Sequence, residues 1–327
     1  MIPTRDIDRA AEALRQGKLV AFPTETVYGL GADAENVAAV ARIFSVKQRP
    51  TNHPLIVHLA SVDELPRWAA RVPAAARKLA EACWPGPLTL LLEKSDRVPS
   101  ATTGGLSSVG LRVPAHPMAL ELLRRFGGGI AAPSANRFGR VSPTRAEHVQ
   151  QDLGDDIEVL LDGGACDVGV ESTILDLTRD VPVLLRPGGI TVERIESLLG
   201  VSVSRALPSA ARAPGLLESH YAPLARVEII DVASLVGRAS ELVALGERVA
   251  VLVSSSEDRK ALAAVSGLLL LDLGANDDDA AQRLYAALRQ ADVDNATVVL
   301  ASPPATPGLG EALADRLTKA AGPRHTS

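Results

Sequence analysis

The sequence predicts an α/β protein of two unequal domains: a larger N-terminal domain with helices packed on a curved mixed sheet, and a small C-terminal domain on a parallel sheet. Three observations predict it. The chain has 327 residues, 46% of them hydrophobic, which is enough for two ordinary cores. Its first two-thirds break into short apolar runs and amphipathic stretches, punctuated by Pro and Gly and without strict alternation. From residue 226 onward, strand and helix patterns alternate cleanly.

In the first part, short runs rich in Val, Ile and Leu predict strands at Lys18–Phe22, Leu55–Leu59, Leu88–Leu92, Val109–Val113, Gly129–Ala132, Val159–Leu161, Thr173–Asp176 and Val183–Arg186. Helical spacing predicts helices at Asp6–Gln16, Val37–Gln48, Val62–Ala69, Pro73–Ala82, Pro117–Phe126, Thr144–Leu153 and Val192–Leu199. Strands outnumber helices here, hence the mixed sheet. From Val201 to Pro223 the chain is mostly Ala, Pro, Ser and Arg without periodicity, which reads as a linker. Beyond it come strand Val227–Ile230, helix Ala233–Leu245, strand Val249–Val253, helix Asp258–Val265, strand Leu268–Leu271, helix Asp278–Ala291, strand Thr297–Leu300 and helix Leu309–Ala320. That order is of Rossmann type, but no GxGxxG opens its first helix, so no dinucleotide is implied. The expected domains are 1–200, a linker at 201–225, and 226–327.

Charge narrows the function. The net charge is −5. Residues 1–205 carry 23 Lys/Arg against 24 Asp/Glu, and residues 206–327 carry 11 against 15. Neither part has the basic excess of a protein that lives on nucleic-acid phosphates. Two cysteines, Cys83 and Cys166, make neither a disulfide framework nor a zinc site. The N-terminus reads as a charged amphipathic helix rather than a signal peptide, and no apolar run is long enough to span a bilayer. The expectation is a soluble cytoplasmic protein with no membrane partner.

Candidate chemistry gathers at strand ends. "LVAFPTETVYGLGAD" runs from a core strand through Pro23, which ends ladder pairing, into Thr24, Glu25 and Thr26. A polar turn with glycines is the plain reading of that stretch alone. "KQRP" sets Lys47 and Arg49 at a helix end, where they either complement the helix dipole or clamp a polyphosphate. His58 lies on an apolar strand, where a satisfied core histidine is the plain alternative to a ligand. Arg112 ends a buried strand and must find a carboxylate or an anionic ligand. "GGGIAAPSANRFGRVSPT" offers Ser134, Asn136, Ser142 and Thr144 in one loop, as nucleotide sites often do. "GVESTILDL" heads a strand with Glu171, Ser172 and Thr173, and "LLRPGGIT" ends one on Arg186. There is no Walker A motif, HExxH, CxxC or GxSxG elbow, so the pattern suits a small phosphate-bearing ligand and a site that positions reactants.

"PTETVYGLG", "KQRP…PLIVH", "WPGPLTLLL", "VGLRVPAHP", "APSAN…SPT", "VESTILDL" and "LLRPGGIT" stand in one order and spacing. In this the chain resembles the threonylcarbamoyl-AMP synthases of the YrdC-like family over roughly residues 5–223, including "HYAP" at His220–Pro223. The C-terminal part resembles the longer, two-domain members in length and α/β pattern only. The resemblance implies a YrdC-like catalytic domain and a reaction of L-threonine, bicarbonate and ATP, with Mg2+ on the phosphates. The product would pass to the tRNA threonylcarbamoyl-transferase machinery. It implies threonine contacts from Thr26, His58, Arg112, Ala132 and Ser172. It implies ATP contacts from Lys47, Arg49, Ser108, Ser134, Ser142 and Arg186, with Tyr221 closing over the site from the linker. The family pattern has Asn where this chain has His53; an imidazole also donates to a phosphate or ribose, so the role carries to His53. Two alternatives stand beside this reading. One is a non-catalytic module holding double-stranded RNA or tRNA, disfavoured by the charge, with tRNA touched at most weakly. The other is a carbamoyl-adenylating domain of hydrogenase-maturation type, disfavoured by the missing CxxC.

Overall fold

The computed structural model describes residues 2–206 and 221–323. Most of the predicted linker, including Leu216, Leu217 and His220, lies outside the described residues. Within them the chain forms two compact units. One takes in the chain up to Phe138, Ser142–Asp167 and the stretch from Glu171 to 206; the other takes in Gly139–Val141, Val168–Val170 and the residues from 221 on.

The first unit carries β1 (Val20–Phe22), β2 (Gly29–Asp33), β3 (Ile56–His58), β4 (Leu88–Glu93), β5 (Ser108–Arg112), β6 (Ile130–Ala131), β7 (Val159–Leu160), β8 (Thr173–Asp176), β9 (Val183–Arg186) and β10 (Ser204–Arg205). They form one sheet in the order β10-β9-β8-β4-β5-β3-β6-β2-β1-β7. Pairing is mixed: β3 runs parallel to β5 and β4 to β8, whereas β4–β5 and β2–β6 are antiparallel. This is the mixed sheet expected.

Helices close over it for local reasons. α1 (Ile7–Arg15) starts where the Asp6 carboxylate accepts from the Arg9 amide. Its Ala10 and Leu14 share a core cluster with Leu122 and Leu123 of α5 (Pro117–Phe126), beneath Val20 and Phe22; the intervening helices are α2 (Val37–Lys47), α3 (Leu65–Trp68) and α4 (Ala74–Cys83). α2 is capped by Asn36 and stops at Gln48, which adopts φ 55°, just before the Arg49-Pro50 step that disfavours helix. α6 (Ala146–Leu153) and α7 (Val192–Leu199) complete the unit.

Three elements differ from expectation. Residues 29–33, read as a polar turn, are strand β2. A Cβ on Gly31 would lie 2.8 Å from both Ile130 and Phe22, so the absence of side chains lets β2 sit against that ring. The helix expected at Val62–Ala69 is a 3-10 turn, Val62–Glu64, followed by the single turn of α3. β10 went unpredicted, because two exposed residues carry no apolar pattern.

The second unit has β11 (Arg226–Ile229), β12 (Val249–Val253), β13 (Leu269–Asp272) and β14 (Val298–Ala301), all parallel in the order β11-β14-β12-β13. Its helices are α8 (Leu235–Ala244), α9 (Ser256–Leu262), α10 (Asp277–Val293) and α11 (Leu309–Ala320). β12 is buried along its whole length, as a parallel strand covered on both faces must be. α9 begins earlier than read from sequence, because Ser255 caps it by accepting from the Asp258 amide. In this unit Asp292 near the end of α10 accepts from the Leu224 and Ala225 amides, and Arg289 donates to the Val141 carbonyl. Among the described residues no helix is long and apolar enough to cross a membrane.

Candidate active site

After β1 the chain turns through Thr24-Glu25-Thr26, all buried. The Thr24 hydroxyl donates to the Val27 carbonyl and accepts from the Thr26 and Val27 amides, which holds the turn. The Thr24 and Thr26 hydroxyls lie 2.8 Å apart. Arg112, the last residue of β5, donates from Nη2 to the Thr26 hydroxyl at 2.9 Å and pairs with Glu25 at 2.7 Å. Its Nε donates to the Gly86 carbonyl, and the other Glu25 oxygen accepts from the Ala115 amide at 3.0 Å. Side-chain exposure is 5% for Arg112 and 7% for Glu25, so the pair is desolvated and removing either partner strands a charge.

His58 stands beside Arg112 in register on β3. Its ring meets Phe22 edge-on at 5.9 Å, and its buried Nδ1 reaches no hydrogen-bond partner at normal geometry among the described residues. Burial pushes its pKa down to about 3; the Arg112 charge adds to this, and the Ile130 and Ile56 carbonyls pull the other way. His58 is therefore neutral at ordinary pH. The Ala132 amide, just past β6, donates to the Ile56 carbonyl.

On the other side of β5, the Ser172 hydroxyl lies 2.8 Å from the Thr89 hydroxyl of β4. Arg186 forks onto the Ser172 carbonyl through Nε and Nη2 at 3.1 and 2.9 Å and reaches its hydroxyl at 3.2 Å. Gly188 makes this approach possible: a Cβ there would lie 2.3 Å from the Glu171 carbonyl. Glu171 accepts from the Ser142 hydroxyl at 2.7 Å.

Lys47 is buried and donates to the carbonyls of Ser134 and Asn136, so it braces the 134–136 loop. Burial pushes its ammonium well below the usual lysine range, and the nearby Arg49 adds to that. Ser134 bridges Gly29. Arg49 donates to the Pro54 carbonyl and lies 5.7 Å over the Phe138 ring, which meets His53 edge-on at 5.4 Å. Ser108 opens β5 and Arg112 ends it, four residues apart and so ~13 Å along the strand. Because β3 and β5 are parallel, His53 and Ser108 lie toward their starts, and His58 and Arg112 at their ends.

In the first unit, then, hydrogen bonds join Thr26 to Arg112, Ser172 to Arg186, and Lys47 to the Ser134 loop. Tyr221 belongs to the second unit, where it is buried at φ 64°, stacks on Tyr285 at 5.6 Å and sits beneath Arg316 at 5.3 Å. Sequence reasoning assigned no site role to Glu25, Thr89, Glu171 or Phe138. Glu25 and Glu171 carried a signal as carboxylates at strand ends, and Phe138 as one of four Phe in the chain, set in a polar Gly/Arg loop.

Comparison with known proteins decides the lineage. Residues 12–188 match the Sua5/YciO/YrdC family model, described as Telomere recombination. The chain belongs to this family. Residues 190–322 match the model of the threonylcarbamoyl-AMP synthase C-terminal domain, which marks the two-domain branch. A threonylcarbamoyl-AMP synthase of Pyrococcus abyssi is 44% identical over 96% of this chain and 94% of that protein. One from Bacillus subtilis is 42% identical over 97% and 93%. A structure of P. abyssi Sua5 complexed with L-threonine is 42% identical with a TM-score of 0.89, covering 96% of this chain and 94% of that one.

Proposed function

We propose that this family member is an L-threonylcarbamoyladenylate synthase, converting L-threonine, bicarbonate and ATP to threonylcarbamoyl-AMP, pyrophosphate and water. The single observation that carries the reading in this chain is the buried Arg112, fixed on the Thr26 hydroxyl beside a neutral His58 whose Nδ1 has no hydrogen-bond partner at normal geometry among the described residues. The nearly full-length match to synthases and to a threonine-bound relative supports it.

Arg112 offers its guanidinium to the threonine carboxylate, and Glu25 holds that guanidinium in place. Thr26, the Ala132 backbone and Ser172 surround the substrate, and a ligand group satisfies His58, whose burial otherwise costs about 1–3 kcal/mol. The threonine amine adds to bicarbonate carbon with loss of water. The resulting carbamate oxygen attacks the α-phosphorus in line, and the bond to pyrophosphate breaks. No protein nucleophile is required; catalysis is positioning and charge neutralisation. Lys47 braces the loop carrying Ser134. Lys47, Arg49, His53, Ser108, Ser134, Ser142 and Arg186 take ATP, with Tyr221 and the 201–225 segment as a lid that shields a hydrolysable anhydride.

Among the described residues no three His, Cys, Asp or Glu cluster as a resident metal site. The residues fit Mg2+ arriving on ATP: the Ser142 hydroxyl and Glu171 carboxylate are hard oxygen donors that would hold it. When bound, the ion neutralises phosphate charge. Domain limits at 1–200, 201–225 and 226–327, action in the cytoplasm and transfer of the product to a tRNA threonylcarbamoyl-transferase machinery belong to the same proposal. Pyrophosphate release that requires threonine and bicarbonate together tests it; turnover indifferent to threonine would refute it.

A further inference from the structure

The second unit contains a cavity of about 370 Å³, inside the ~300–1,000 Å³ range of small-molecule sites. It opens where its parallel strands end: Ser254, Leu273 and Ser302 line it, and they directly follow β12, β13 and β14. Ligands of open α/β sheets bind in this position. We propose that this cavity is a nucleoside site, separate from the catalytic residues and independent of the function proposed for them.

The lining chemistry selects the class. Leu252, Leu313, Leu317 and Pro303 supply apolar walls for a flat ring. The polar rim is rich in acceptors, beside the donors of the Ser254 hydroxyl and the Asn276 amide. Asp258 accepts from the Ser255 hydroxyl at 2.7 Å and Asp277 from the Thr306 hydroxyl, which leaves each carboxylate a second oxygen. The Ser302 hydroxyl donates its proton to the Ile230 carbonyl at 2.7 Å, which leaves it an acceptor for a further partner. A ligand that brings donors suits these acceptors, and the vicinal hydroxyls of a ribose can donate to the carboxylates of Asp258 and Asp277 in the first turns of α9 and α10. Among the described residues no Lys or Arg lines the cavity. With two carboxylates at the rim, a phosphate is repelled, so the class is nucleoside rather than nucleotide.

The test titrates adenosine into the full chain and follows the methyl NMR signals of Leu252, Leu313 and Leu317. The proposal expects saturable shifts with a Kd below about 1 mM, and at least tenfold weaker shifts of the same methyls with AMP. Ala275 and Ala305 are exposed at the mouth, so Ala275→Trp and Ala305→Trp close it without burying new volume. Both should abolish the shifts, whereas Arg112→Ala should leave them intact. No saturable shift up to roughly 5 mM adenosine would overturn the proposal. So would shifts that persist in both Trp variants, or AMP binding there as tightly as adenosine.

Discussion

Arg112 and Glu25 face each other at 2.7 Å inside the first unit, a strand residue and a turn residue 87 positions apart in sequence, and the same guanidinium holds the Thr26 hydroxyl. The pair places a fixed, desolvated cation beside the proposed threonine carboxylate. Glu25→Gln keeps the size and an acceptor but removes the charge. It should raise the KM for threonine about tenfold or more, with kcat for saturating threonine much less affected. Arg112→Ala should weaken threonine more and lower stability by about 3–5 kcal/mol, since it leaves Glu25 buried and alone. Steady-state kinetics on the folded fraction checks both. Altered stability with unaltered threonine KM would make the pair purely structural.

Arg49 reads differently. Its place over Phe138, next to His53 at the start of β3, suits a phosphate or base contact. Arg49→Ala should raise the KM for ATP with little change for threonine, because such a clamp binds ground and transition states alike. Phe138→Leu should move ATP in the same direction by a smaller factor. An effect confined to threonine would contradict the assignment.

His58 predicts a pH effect on stability. Its folded pKa is held down to about 3, against about 6.5 in an unfolded chain. Below pH 6.5 the unfolded state takes up a proton that the folded state refuses, so stability present above that pH is lost as the pH falls toward 3. The slope from this one group approaches about 1.4 kcal/mol per pH unit. Denaturant melts between pH 7 and 4 should show a shallower acid limb in His58→Asn than in the parent chain. Parallel limbs would mean that His58 titrates normally.

How much of this was legible in the sequence depends on whether one strand or several make the feature. Arg112 stood out because a buried strand arginine needs a partner, and the strand itself has the apolar pattern that predicts burial. Glu25 stood out as a carboxylate at a strand end, but its pairing with Arg112 did not, since no periodicity links it to a strand so far along the chain. β2 was missed because Gly29-Leu30-Gly31-Ala32 has turn composition; only the Phe22 ring packed against it explains why small residues make a strand there. Lys47 was read as a helix-end cation or phosphate clamp. The structure shows its ammonium tied to two loop carbonyls, a role set by a loop about 90 residues on that α2 cannot announce.

Tyr221 tests the lid. Its ring now stacks on Tyr285 beneath Arg316, so Tyr221→Ala should loosen the second unit as well as raise the KM for ATP, and Tyr221→Phe should restore the packing. Adding ATP and threonine should slow proteolytic cleavage within 214–223. Cleavage indifferent to ligand would remove the lid from the account.

The central claim is that this site joins threonine, bicarbonate and ATP. Its most direct measurement is mass spectrometry of the products after incubation with ATP, bicarbonate, Mg2+ and each amino acid in turn. Threonine should yield a threonylcarbamoyl adenylate, and serine a several-fold smaller amount, because one lost methyl is worth about 1 kcal/mol or somewhat more. ATP consumed without any acyl adenylate, or an adenylate formed equally with unrelated amino acids, would contradict it.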